Sequence, residues 1–173
     1  MNLPICTKDA KEGKLCSKCK QKLESNEINQ VDVELSRILF RLAEKETIPN
    51  EINLVKTKTI KENNKKDKET VLALVEGNPA VLIGRGGRII RLISEKLGKD
   101  VKVIKNGSPV QIINDLASPV RACGINILYR TDQSEEKYIT LPKERKNKVG
   151  ISVEKMEKLI NKLTDEKYKI KYI

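Results

Sequence analysis

Apolar residues first recur at helical spacing at Val31, Leu35, Ile38, Leu39 and Leu42, with Arg37, Arg41 and Glu44 on the opposite side. That period predicts an amphipathic helix with one face on a core. Asn29 is placed to cap its start, and Pro49-Asn50 to end it. The period then changes. Ile52, Leu54, Val55, Thr57 and Thr59 are apolar or β-branched at strand spacing, and Thr70 to Glu76 is a compact apolar run. Two antiparallel strands are predicted, joined by a polar turn over Asn63 to Lys68. Gly77-Asn78-Pro79 opens a short helix, Ala80 to Ile83. A glycine turn follows, then a helix from Arg88 to Leu97 with Gly98 just past its end. Alternation over Asp100 to Ile104 predicts a third strand. The predicted order is α-β-β-α-α-β.

The order then starts again. Pro109 to Ala117 has Val110, Ile113, Leu116 and Ala117 at helical spacing. Ile125–Tyr129 and Lys137–Leu141 are strand candidates. Val153 to Leu163 places Met156, Leu159, Ile160 and Leu163 on one helical face, and Tyr168 to Ile173 closes as a strand. Met156, Leu159 and Leu163 repeat the spacing of Ile90, Ile93 and Leu97, which indicates an internal repeat. The fold class expected is α+β, with two tandem α/β units over residues 29–106 and 107–173. Residues 1–28 are a third piece, with too few large apolar residues to form a sizeable core unaided.

The turn Ile83-Gly84-Arg85-Gly86-Gly87-Arg88 carries candidate chemistry. Glycine lacks a Cβ, so another backbone can approach closely. Amides at a helix start carry partial positive charge and attract phosphate. Arg85 adds a full charge. In the second unit Gly150-Ile151-Ser152-Val153 occupies the equivalent positions. It lacks the closing glycine and the basic centre, so that unit is expected to keep the fold and lose the grip.

Charge changes the picture next. There are 35 lysines and arginines against 24 aspartates and glutamates, a net +11. That excess suits a nucleic acid or an anionic surface. No apolar run approaches the roughly 20 residues of a spanning helix, and no signal-peptide pattern is present. A cytoplasmic protein is expected. With one Phe, four Tyr and no Trp, base stacking on aromatics is not the main recognition mode. The chain has no histidine, no Ser or Cys nucleophile beside a base and no Gly-Lys-Ser/Thr phosphate loop, so it is read as non-catalytic.

Cys6-x-x-Asp9 and Cys16-x-x-Cys19 form two short pairs. The second resembles a zinc knuckle, in which thiolates three positions apart hold one ion. Cys6 supplies a third thiolate and Asp9 a carboxylate, giving a candidate site for one Zn2+. A disulfide, a redox pair and unrelated thiols are the other readings of the same residues. Cys123 lies between Ala122 and Gly124 and is expected to be a buried packing residue.

Residues 30–173 resemble the tandem KH unit of archaeal NusA-like proteins. The turn is similar to the GXXG loop of a KH domain, and the predicted order matches the type II KH arrangement. Val75-Glu76-Gly77-Asn78-Pro79-Ala80 looks like the family's lead-in, and Pro119-Val120-Arg121-Ala122-Cys123-Gly124-Ile125 like its inter-domain junction. The resemblance implies binding of about four nucleotides of single-stranded RNA, and a role around RNA polymerase in transcription elongation or termination. It implies that Gly84, Gly86 and Gly87 admit the backbone and that Arg85, Arg88 and Arg91 supply charge. Ile83, Ile90 and Val103 would line an apolar groove for the bases; taken alone, the same three also fit core positions. The second unit is then a degenerate KH-like domain. The alternative function is a protein-interaction factor docking on RNA polymerase or the ribosome, with RNA secondary. No membrane and no small-molecule substrate is expected.

Overall fold

Two short helices that apolar periodicity does not announce, α1 (Thr7–Glu12) and α2 (Ser17–Glu24), organise the cysteine-rich segment. They belong to a computed structural model that describes residues 1–61, 69–149, 152–164 and 166–173. Ile5, Ala10, Cys19 and Ile28 bury together with Val33 of the next helix, α3 (Gln30–Glu44). Two further ties hold the segment. Arg37 Nη2 donates to the Gly13 carbonyl at 2.7 Å. Asn2 bridges in parallel to Asn53, donating to Ile52 O and accepting from Leu54 N, both at 3.0 Å. Residues 1–28 are therefore part of a first compact unit, Met1–Asn106, and not a piece by themselves. A segment without a core of its own uses the side of α3.

Asn29 and Asp32 set both the start of α3 and the course of the strand beside it. They form a reciprocal capping box, with Asp32 N donating to Asn29 Oδ1 at 2.9 Å and Asn29 N to Asp32 Oδ2 at 2.8 Å. The same side chains reach Thr57 in strand β1 (Asn53–Lys61). Thr57 N donates to Asp32 Oδ1 at 2.5 Å, and Asn29 Nδ2 donates to Thr57 O at 3.0 Å. Asp32 is buried, and these amides satisfy both its oxygens.

The helix ends before Pro49, by a backbone device. Glu46 adopts φ 54°, its amide donates to Ala43 O, and Thr47 N donates to Leu42 O, both at 2.9 Å. This is a Schellman closure with glutamate where glycine is usual. The left-handed region costs an L-residue about 1–2 kcal/mol. Glycine gives back part of that as chain entropy. Glu46→Gly should thus raise stability by about 0.5–1 kcal/mol, seen as a higher urea midpoint at unchanged slope. A lower midpoint would contradict this account of the helix end.

Strand β1 pairs antiparallel with β2 (Glu69–Glu76) from Asn53↔Glu76 to Lys61↔Glu69. The register shifts between Leu54 and Lys56. That irregularity explains the change of phase in the sequence: Ile52 and Leu54 are buried, Val55 turns outward, and Thr57 is buried again. The polar turn expected over Asn63 to Lys68 lies outside the described residues. Helix α4 (Ala80–Ile83), a 3-10 turn (Arg85–Gly87) and helix α5 (Arg88–Leu97) then carry the chain to β3 (Asp100–Lys105). β3 runs parallel to β2, in sheet order β1-β2-β3. The central strand is buried from Val71 to Val75, as its continuous apolar run requires. Its core-side residues Ala73 and Val75 meet Leu35, Leu39 and Leu42 of α3 and Ile93 of α5 in one cluster.

The second unit, Gly107–Ile173, repeats this plan. Helix α6 (Pro109–Ala117) precedes β4 (Gly124–Tyr129) and β5 (Glu135–Leu141); helix α7 (Val153–Thr164) precedes β6 (Tyr168–Tyr172). β4 and β5 are antiparallel, and β5 and β6 parallel, with order β4-β5-β6. The architecture is α+β, with two three-stranded mixed sheets among the described residues. Helix α7 buries Met156, Leu159, Ile160 and Leu163 as its period predicts. Helix α6 buries Ile112, Ile113, Leu116 and Ala117, while Val110 in the first turn is half-buried. Gly150 and Ile151, the counterparts of Gly84 and Arg85, lie outside the described residues. Cys123 corrects an expectation. Its amide donates to Thr140 O at 2.8 Å, continuing the β4–β5 ladder, and the residue itself is exposed.

Candidate functional sites: a glycine turn and a metal centre

Three glycines shape the turn, and each has a different reason. Gly84 has φ 71°, and an added Cβ would lie 2.6 Å from Ile89 Cγ1, so both conformation and packing demand glycine. Gly86 has φ 61° and open space where a Cβ would be. Gly87, at φ 76°, lets α5 begin. Within the turn, Gly87 N donates to Gly84 O at 3.1 Å, and Arg88 N donates to Arg85 O. Those two amides are committed to the turn.

The arginines divide their work. Arg85 and Arg88 are exposed. Arg91 Nη2 donates to Gly86 O at 3.0 Å, so this side chain braces the turn from the next helical turn. The three line a cleft of about 490 Å³ together with Thr47, Ile89, Leu92 and Glu95. Ile83, Ile90 and Val103 do not line it. Ile83 is 40% exposed, and Ile90 is half-buried against the core. Val103, paired in register with Ala73, is in the core itself. The alternation of β3 turns Val103 inward. Leu92 and Glu95 follow Arg88 at four and seven residues, helical spacing, so the period held a signal for them. Thr47 had none, because the Schellman closure alone brings it there.

The four sequence-predicted metal ligands come together. Cys6 caps α1 and Asp9 sits in its first turn; Cys16 caps α2 and Cys19 sits in its first turn. Each short pair therefore presents two donors from one helix start. The ligand atoms of Cys6, Asp9, Cys16 and Cys19 all lie within 4.8 Å of one another, with Cys6 Sγ 4.0 Å from Cys16 Sγ. A tetrahedral ion with metal–sulfur bonds of about 2.3 Å holds its sulfurs roughly 3.8 Å apart. The cluster can hold a metal ion with little movement. Asp9 and Cys19 are buried, Cys16 is partly buried and Cys6 is exposed. Cys16 N donates to Asp9 Oδ2 at 2.9 Å, fixing the carboxylate.

Without a metal, protons are held on the sulfurs of Cys6 and Cys19. Burial, then the hydrogen bond to Asp9, pushes the Cys19 thiol up to about 12. For Cys6 the Asp9 amide favours the thiolate, but desolvation and the Asp9 carboxylate outweigh it and the pKa is raised. Burial opposes the Asp9 charge, yet hydrogen bonds from the Cys19 thiol and the Cys16 amide hold it well below the usual carboxylate range. Metal must displace thiol protons while meeting an existing anion. Affinity should rise more than tenfold per pH unit between about pH 6 and about pH 8, because more than one proton leaves per ion. Competition with a chromophoric chelator measures this. A flat profile would exclude the thiols as ligands.

Comparison with known proteins gives fold information. No family model matches the chain, and no curated protein matches it. A solved structure described as "Crystal structure of APE1850" is similar, with 23% identity and a TM-score of 0.53. The match covers 78% of this chain and 96% of that one. At that identity the likeness is one of fold alone. Among the described residues no helix is long and apolar enough to cross a membrane.

Proposed function

We propose that this chain is a non-catalytic, single-stranded RNA-binding protein of the NusA-like tandem KH kind, working in transcription elongation or termination. One observation carries the reading: a turn with glycine at three positive-φ positions, open over Gly86 and flanked by exposed Arg85 and Arg88. The net charge of +11 and the repeated unit support it. The first unit supplies the grip, and the second is a degenerate KH-like copy. Zn2+ is the ion we assign to the cysteine centre. Three thiolates with one carboxylate form a soft, compact donor set, and a closed four-ligand site suits a structural role.

The test is fluorescence anisotropy with short single-stranded RNA over a salt series. Contact with three or four phosphates predicts a log–log slope of about −2 to −3. Salt-independent binding, or none, would refute the reading.

A second reading has its own observation. Strand β4 lies at a sheet edge and exposes Ile127, Leu128 and Tyr129 at 45, 50 and 69%. An apolar edge of this kind suits docking on a protein partner such as RNA polymerase or the ribosome. Co-purification that survives ribonuclease treatment would favour it.

A further inference from the structure

The cleft beside the glycine turn does not stand by itself. A second cleft of about 430 Å³ lies between α3 and α5, lined by Ile38, Arg41, Leu42, Glu44, Lys45 and Lys96. Glu95 lines the first cleft and Lys96 the second; Thr47 lines the first and Lys45 the second. Arg88 and Leu92 of the first cleft and Lys96 of the second follow at four-residue steps on one face of α5, so the two clefts are joined in one furrow along α5 and the end of α3. Its floor is apolar, from Leu92 to Leu42 and Ile38, and its rims are charged.

The charges have one dominant sign. The first cleft carries Arg85, Arg88 and Arg91 against Glu95; the second carries Arg41, Lys45 and Lys96 against Glu44. Among the described residues, ion pairs engage Lys22, Lys99, Arg130, Lys137 and Lys169, and none of the furrow cations. Arg88 and Lys96 are eight residues apart on α5, a rise of about 12 Å. An anionic strand leaving the turn thus meets cations again before it reaches bulk solvent. The carboxyl end of α3 opposes this only weakly. Its dipole amounts to about half a charge, and the carbonyls of Leu42 and Ala43 are already occupied by the amides of Thr47 and Glu46.

We propose that the furrow between α3 and α5 is a second phosphate track, which takes the RNA backbone onward from the glycine turn and lengthens the site beyond the turn's own reach. The inference rests on the RNA-binding reading of that turn. RNA is favoured over an acidic peptide because the furrow is continuous with the turn, so that one polyanion can occupy both. Recognition along the track is by charge, without base readout. The gain should be insensitive to sequence and sensitive to salt.

The test compares a four-nucleotide and an eight-nucleotide single-stranded RNA on the full chain and on the triple variant Arg41→Gln, Lys45→Gln, Lys96→Gln. Glutamine keeps helix propensity, so both helices should remain, and circular dichroism checks this. The wild-type protein should bind the longer RNA at least about tenfold more tightly. The variant should keep the short-RNA affinity and lose most of that gain, with a salt slope shallower by about two. A gain that persists in a folded variant would overturn the track, placing the extra contacts elsewhere. So would a wild-type protein that binds both lengths equally. Competition by a poly-glutamate peptide that leaves the four-nucleotide RNA bound, without any length gain, would assign the furrow to a protein. Failure of the four-nucleotide RNA to bind the wild-type protein would instead remove the turn reading itself, and the track with it.

Discussion

Replacing Cys16 and Cys19 together by serine is expected to empty the metal centre and release residues 1–28 from the side of α3. The segment's buried apolar residues are few: Ile5, Ala10, Cys19 and Ile28, with Val33 lent by α3. A structural zinc contributes on the order of 10 kcal/mol of apparent binding free energy in isolated peptides. That is comparable with what so small a cluster gains by burial, at roughly 1.5–3 kcal/mol per large apolar side chain, so losing the ion removes a large share of what holds the segment. The amides of Ala10 and Lys20 donate to Cys6 O and Cys16 O at 3.1 and 2.9 Å, at the two ligand-bearing helix starts. Their hydrogen exchange should accelerate at least about a hundredfold, equivalent to roughly 3 kcal/mol of local stability. Exchange in β2 should change much less, because the cluster around Ala73 and Val75 takes its buried residues from outside the segment, with only Met1 and Leu3 of residues 1–28 packed against it. Removing metal with a chelator should reproduce the effect in the wild-type chain. Elemental analysis should find about one zinc per chain before treatment. A metal-free protein with the same protection, or a disulfide among these cysteines, would end the assignment.

The second large effect is on RNA. Arg85→Asp with Gly86→Asp should lower affinity for short single-stranded RNA at least about tenfold, or 1.4 kcal/mol. The structure makes this variant informative. Nothing lies within 4 Å of a Cβ added at Gly86, and aspartate tolerates the left-handed region better than most residues. The turn should keep its shape while an anion stands where phosphate would approach. Gly84→Ala serves as the contrast. Its Cβ would meet Ile89 Cγ1 at 2.6 Å, so it should disturb the turn and lower thermal stability as well as binding. Unchanged RNA affinity in a folded Arg85/Gly86 double variant would mean that the turn is not the grip.

The two predictions differ in how much of their basis lies in the chain alone. Spacing by itself brought Cys6, Asp9, Cys16 and Cys19 into one candidate site, because ligands three apart at a helix start share a side wherever the helix packs. The glycine turn was equally local: three glycines within four residues, followed by an amphipathic run. Helices α3, α5 and α7 and strand β2 were also written in the residue order. α3, α7 and β2 bury a continuous stripe or run, α5 buries Ile93 with Ile89, Ile90 and Leu92 half-buried around it, and one-sided burial leaves its period in the sequence. The repeat of the two units followed from matching periods.

Other features depended on partners distant in the chain. Helices α1 and α2 are too short to display a period, and their burial is lent by α3. The phase of β1 depends on the irregularity at Val55, which pairing with β2 defines. Val103 lies in the core and Cys123 is exposed because strand register, not residue type, sets which way each faces. Thr47 enters the cleft only through the closure of α3, and the furrow exists only because α3 and α5 pack side by side. Sequence carries what is decided within a few residues, by spacing, propensity and turn chemistry. Register and packing are decided by contacts between distant segments, and a groove is a property of two surfaces.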